Sequence, residues 1–168
     1  MMWEFVFRNL HLPKLPEHLL LSLKRFSHSF IVPADIDRVW AFYTDIDHLE
    51  VITPPQMRLK VRKSSTGSKI QEGAEVWIEG NLAIKSTWHS RITSMEPYVY
   101  VDEMLEGLFK TWKHTHAFKK ADGGTEVVDE IEFELRYGFL GRILEGYAYR
   151  QLEKIFAHRK SATIAALR

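Results

Sequence analysis

The 168-residue chain contains no cysteine, which removes a disulfide scaffold, a zinc–thiolate site and a thiol nucleophile together. That composition fits a reducing, cytoplasmic setting. Charge of one sign is lacking too: 23 Lys and Arg stand against 22 Asp and Glu, and a net +1 gathers no nucleic acid at long range. Nor is there a long hydrophobic run. The stretch Met1 to Leu23 holds aromatics and a leucine triplet, but Glu4, Arg8, His11, Lys14 and Glu17 interrupt it. It therefore supplies neither a signal-peptide core nor a membrane span of about 20 apolar residues, and no integral membrane association is expected. A phosphate-cradling glycine loop, a G-x-S-x-G nucleophile turn and an H-E-x-x-H pair are all missing.

What is present, 45% hydrophobic and 27% charged residues, suits one globular domain with a substantial core. Residues 1–24 read as an amino-terminal extension. There Leu15, Leu19, Leu20 and Leu23 form one side of a short helix begun at Pro16, suited to docking on the domain at 25–168. From Phe26 the pattern has period two, with Phe26, His28, Phe30 and Val32 on one side, and predicts a first strand ended by Pro33. Asp35 is placed to cap a helix carrying Ile36, Val39, Trp40 and Tyr43. A second short helix at about 46–52 stops at Pro54 and Pro55.

Alternation then resumes, broken by turn signals, and predicts strands at 56–63, 75–78, 82–94, 98–105, 109–120 and 125–136. Gly73 and Gly80 read as strand-end glycines. Beyond Gly138 and Gly141 the period becomes helical. Leu140, Ile143, Leu144, Tyr147, Leu152, Ile155 and Phe156 fall on one broad stripe of a helix of about 25 residues. The expected fold class is α+β: a seven-stranded antiparallel sheet, two short helices after strand 1, and a long carboxy-terminal helix across one sheet face.

The segments FYTDIDHLEVITPP (Phe42 to Pro55) and VDEMLEGLFKTWKHTHAF (Val101 to Phe118), and the GGT followed by an aspartate at Gly123 to Asp129, carry a family resemblance. Together with the element order, they resemble the bacterial cyclase/dehydrase-like, ligand-binding branch of the SRPBCC superfamily, which includes START and Bet v 1-like proteins. The resemblance spans about Phe26 to Arg159. It implies a helix-grip fold, the sheet wrapped around the last helix, with a cavity between them for a hydrophobic or amphipathic small molecule. Three functions follow from it: binding or transport of such a molecule, a polyketide cyclase/dehydratase-like enzyme, or a co-chaperone-like protein-interaction module. The oligomeric state is left open.

The candidate chemistry sits on two strands. In 109–120, Trp112, His114, His116 and Phe118 share a face. In 125–136, Val127, Asp129, Ile131, Phe133 and Leu135 share another, which puts Asp129 on the apolar side. A carboxylate there is costly unless paired, and His114 or His116 is its expected partner. A histidine held by Asp129 can act as a general base, so His114, His116 and Asp129 are the candidate catalytic residues; a buried pair that merely sets strand register is the competing reading.

The i and i+2 histidines also have the spacing of two metal arms, with His28 or Asp129 as candidate thirds. No metal-spacing signature accompanies them, and no metal or other cofactor is expected. Trp88, Trp112, Phe133 and Tyr147 are expected to wall the cavity, with Phe118 on the same inward face. Alternation alone does not decide which way Tyr100 and Asp102 point; Asp102 matches the family pattern, which favours inward for both. Gln151 and Tyr147 are the polar-tipped residues near the helix stripe. Glu130, Glu132 and Glu134 form an outward charge run, and His89 falls on an outward phase.

Overall fold

Alternating side chains can build a sheet only if one face is covered, and the helical stripe at the end of the chain is the cover. The computed structural model describes residues 23–82, 84–136 and 138–168. Nearly all of the amino-terminal extension, and with it the predicted docking helix, lies outside the described residues. The elements run β1 (Lys24–Val32), α1 (Ile36–Tyr43), α2 (His48–Val51), a 3-10 turn (Pro55–Met57), β2 (Lys60–Ser64), β3 (Glu75–Leu82) and β4 (Ile84–Glu96). Then follow β5 (Val99–Glu106), β6 (Phe109–Ala121), β7 (Gly124–Leu135) and α3 (Gly138–Ala166). The strands form one seven-stranded sheet in the order β1-β7-β6-β5-β4-β3-β2, every pairing antiparallel. The first strand thus lies beside the last, while the others follow as successive hairpins. No helix among the described residues is long and apolar enough to cross a membrane.

Boundaries differ from the expected ones where local chemistry intervenes. The residues at 56–59 are not strand, because the Pro54–Pro55 pair leads into the 3-10 turn and Arg58 takes a left-handed conformation, φ 44°. Gly80 is not at a strand end. It pairs with Ser86 inside β3, where a Cβ would stand 3.2 Å from the Met57 carbonyl oxygen. The second helix is only four residues long, and Asp35 occupies the N-cap of α1 without a side-chain capping bond.

Along α3, Leu152, Phe156, Arg159 and Thr163 are buried, at steps of three and four residues that keep them on one side, and Leu167 just past its end is buried too. Two apolar clusters result. One gathers Phe26, Phe109, Ile131, Phe133, Leu152 and Phe156; the other joins α1 to Phe30, Tyr100, Phe118, Val127 and Leu167. On β6, Trp112 belongs to the first and Phe118 to the second, so His114 and His116 fall at the seam between them.

The β6–β7 turn is held against the link from β1 to α1. Thr125, fully buried, donates its hydroxyl to the Ala34 carbonyl at 2.8 Å. Gly124 has φ +141°, and a Cβ there would overlap the Val32 carbonyl oxygen and stand 2.9 Å from Pro33 Cα. Backbone cannot yield as a side-chain tip can. Gly124→Ala is expected to destabilise the fold by roughly 3 kcal/mol, read as a lowered urea midpoint, whereas Gly123→Ala, with open space around it, should cost distinctly less.

Candidate functional site

Strand register brings the polar residues together. Asp102 on β5 lies directly opposite His114 on β6, and His116 lies directly opposite Asp129 on β7; Asp129 is also opposite His28 on β1. Directly opposed residues share a sheet face, so Asp102, His114, His116, Asp129 and His28 all point to the side covered by α3. Asp129 is fully buried, and His114 and His116 are 4% and 6% exposed.

Two carboxylates clasp the two imidazoles from opposite sides. His114 Nε2–H donates to Asp129 Oδ1 at 2.9 Å, and His116 Nε2–H donates to Asp102 Oδ2 at 3.0 Å. The remaining nitrogens face the other partner: His116 Nδ1 is 3.1 Å from Asp129 Oδ1 without hydrogen-bond alignment, and His114 Nδ1 is 3.5 Å from Asp102 Oδ2. The rings lie 3.7 Å apart. The expected choice between His114 and His116 as partner of Asp129 is therefore resolved as both, with Asp102 as a second acid.

The two rings do not share one protonation state. Burial and the charge on His116 push the His114 pKa down to about 4. Burial also opposes charge on His116, but hydrogen bonding and attraction to Asp102 and Asp129 outweigh it and raise its pKa. Burial works against both carboxylates as well, and the histidines overcome it. The His114 hydrogen bond and the close approach of His116 hold Asp129 low, while the His116 bond and the neighbouring rings lower Asp102. Of the two rings, His116 therefore holds a proton the more readily, while His114 is neutral at neutral pH with its free lone pair at Nδ1.

A cavity of about 150 Å³ opens beside this cluster. Its walls include Phe42, Ile52, Leu59, Ile78, Trp88, Ile92, Tyr100, Phe109, Trp112, Leu152 and Phe156, with Asp102, His114, His116 and Arg159 at its polar end. Trp88 and Trp112 line it, as expected from their strand phases, and so does Tyr100, which the family pattern turned inward. Three other expected wall residues do not. Phe118 and Phe133 are buried within the two apolar clusters, in ring contact with Tyr43 and Trp40, and with Phe109 and Trp112, respectively.

Tyr147 is 43% exposed. It precedes Leu152 by five residues, which turns it about 140° away from the buried stripe; Ala148 takes the inward place. Gln151 lines an outer groove with Lys85, Lys154 and His158. That groove shares Met57 and Ile155 with the cavity, and these residues form the wall between the two. Glu132 and Glu134 pair with Arg25 and Lys110, and His89 is bonded to Glu75, all away from the cavity.

Two contributors escape the periodicity argument. Phe109 faces the cavity because a register shift between Phe109 and Thr111 resets the alternation, and no residue type signals that bulge. Arg159 is 8% exposed and stands 3.6 Å from Asp129 Oδ1. An arginine near the end of an amphipathic helix reads as surface, although its spacing of three from Phe156 places it on the stripe. As for a cation, one ligand atom each from Asp102, His114 and His116 lie within 4.8 Å of one another, so Asp102 takes the third place considered for His28 or Asp129. In the arrangement described, Asp102 Oδ2 accepts from His116 instead.

The family model described as "Polyketide cyclase / dehydrase and lipid transport" matches residues 32–157. Among solved structures, the fold is similar to that of a START superfamily protein from Mycobacterium smegmatis: TM-score 0.65, 11% identity, 85% of this chain and 96% of that one. The Zhui aromatase/cyclase from Streptomyces sp. R1128 is similar at TM-score 0.61 and 20% identity, covering 86% and 91% of the two chains. The protein TTHA0849 from Thermus thermophilus is similar at TM-score 0.65 and 19% identity, with 86% and 100% covered. A search of curated proteins finds no match. Identities this low speak for the fold alone.

The buried imidazoles imply a pH signature. Unfolded, His114 takes a proton near its ordinary 6.5; folded, only near 4, so the unfolded state binds the extra proton between those values. Stability should therefore fall as pH drops from 6.5 to 4, by up to about 1.4 kcal/mol per pH unit for this one proton, and His28, also lowered chiefly by burial, adds in the same direction. His116 acts oppositely: its contribution is complete below 6.5 and lost as pH rises through its raised value. The lowered Asp102 and Asp129 contribute above 3.8 and lose effect in stronger acid. Urea midpoints at pH 4.5, 5.5 and 6.5 should show a shallower acid slope in His114→Gln than in wild type; equal slopes would contradict a neutral His114.

Proposed function

Because the chain belongs to the polyketide cyclase / dehydrase and lipid transport family, we propose that it binds a small hydrophobic or amphipathic molecule between the sheet and α3. The observation that carries this reading is a cavity of about 150 Å³ with mainly apolar walls and one buried polar end. A well-packed core leaves few voids larger than a water molecule. A dry cavity of this size accommodates a single aromatic ring, as an engineered apolar cavity of similar volume in another protein does. Larger ligands need the walls to move, since pockets for drug-sized molecules start at about 300 Å³.

In this reading Trp88, Trp112, Tyr100 and Phe156 enclose the ring, and His114, His116, Asp102 and Arg159 meet its polar substituent, with Asp129 behind them. The route in is from the outer groove, past Met57 and Ile155. Integral membrane insertion has no part in it.

A second reading has a specific observation in its favour. His114 is neutral, its Nε2–H is engaged by Asp129, its Nδ1 makes no hydrogen bond to the protein, and the residue lines the cavity. A base so oriented can remove a proton from a bound ring precursor and return it, as cyclisation or dehydration requires. His116, Asp102 and Asp129 would then be positioning residues. The interaction-module reading depends on residues 1–24 and draws nothing from the cavity.

Native mass spectrometry of the protein as purified is expected to show a bound mass that disappears on denaturation. Ser90, 7% exposed and on the cavity wall, offers the control. Ser90→Leu fills space without touching the polar cluster. It should weaken toluene binding at least about tenfold, read as loss of the ligand-induced rise in melting temperature. Equal rises in wild type and Ser90→Leu would rule out this cavity as the site. Conversion of the copurified molecule by wild type but not by His114→Ala would favour the enzyme reading.

A further inference from the structure

Arg159 is a buried, under-partnered cation at the cavity's polar end. Its side chain is 9% exposed, and its guanidinium carbon sits 4.7 Å from the Phe156 ring centre. Among the described residues its one polar contact is the 3.6 Å approach of Nη1 to Asp129 Oδ1, which already accepts from His114. Nε is buried with no hydrogen-bond partner. A guanidinium carries five N–H donors and no acceptor, and each buried donor left unpaired costs roughly 1–3 kcal/mol. Nε itself is shielded, but the side chain lines the cavity, so an acceptor arriving there can approach the guanidinium.

The charges already present narrow the kind of acceptor. Asp102 and Asp129 already face Arg159 and two imidazoles, so two carboxylates stand at this end before any ligand enters. A carboxylate would add an uncompensated buried charge, which is expensive in a site of low dielectric. A carbonyl oxygen satisfies the guanidinium and adds no charge. The apolar walls and the volume suit one ring.

Resting on the binding reading above, we infer that Arg159 is a ligand-binding residue and that the cavity selects a neutral single-ring compound bearing a carbonyl oxygen, which accepts from the Arg159 guanidinium. A hydrogen bond to a charged donor in such a site contributes about 1.5–3 kcal/mol, so the carbonyl should improve affinity at least about tenfold over an apolar isostere.

The test compares acetophenone with cumene, which has the same heavy-atom skeleton without the oxygen, and with benzoate, by quenching of intrinsic fluorescence in the full chain; Trp88 and Trp112 line the cavity. The expected order in wild type is acetophenone tighter than cumene by about tenfold or more, with benzoate weaker than acetophenone. In Arg159→Met the acetophenone advantage should fall below about threefold while cumene affinity holds. Infrared spectra of bound acetophenone give a readout independent of that variant's folding. In wild type the carbonyl stretch should lie below its position in hexane, and in Arg159→Lys it should move back towards it.

If cumene binds and acetophenone binds no better, or if the advantage survives Arg159→Met, the inference fails while the cavity stands. Tighter binding of benzoate than of acetophenone would overturn the neutral-ligand assignment. If neither ring compound binds wild type, the binding reading itself fails.

Discussion

Asp129 is a carboxylate with no solvent exposure, set between Val127 and Ile131 on a strand face otherwise made of apolar side chains. An isolated charge there would be prohibitive, so neighbouring elements must supply compensation. β6 contributes two imidazoles, β5 a second carboxylate that orients them, and α3 a guanidinium. Each comes from a different element, and the set converges only when β5, β6 and β7 are in register and α3 lies over their shared face. Breaking a buried pair by deleting one member typically costs about 3–5 kcal/mol, so the cluster penalises misregister strongly.

The same constraint shapes the cavity. Polar groups that satisfy one another cannot be packed as tightly from every side as aliphatic ones. Here they lie at the seam between two apolar clusters, and the open volume lies beside that seam. Asp129 Oδ2 and Arg159 Nε are buried without partners, so the cluster is nearly but not fully satisfied from within. The two rings also differ in basicity: His116, between both carboxylates, holds a proton the more readily, and His114 stays neutral with a lone pair at Nδ1.

Much of this was legible in the residue pattern. Period two placed Asp129 on the apolar face, grouped it with Trp112, His114 and His116, and forecast the seven strands and the closing helix. The order of strands and the partner of Asp129 are matters of register, which alternation along one strand does not encode. That is why His114 and His116 stayed alternatives and Asp102 needed the family resemblance to be turned inward. Tyr147 was misplaced because a broad helical stripe tolerates an error of one residue, and one residue is about 100° of rotation. Arg159 went unseen because residue type and helical phase pointed in opposite directions, and only the phase was informative.

The account stands on two imidazoles in different protonation states clasped between two carboxylates. Nitrogen-15 NMR of the histidine rings at pH 7 addresses this directly, since ring nitrogen shifts separate a protonated, a hydrogen-bearing and a lone-pair nitrogen. The result expected is an imidazolium pattern for His116, and for His114 a neutral ring with its hydrogen at Nε2 and a lone pair at Nδ1. Two neutral rings, two imidazolium rings, or a neutral His114 with its hydrogen at Nδ1 would contradict the account.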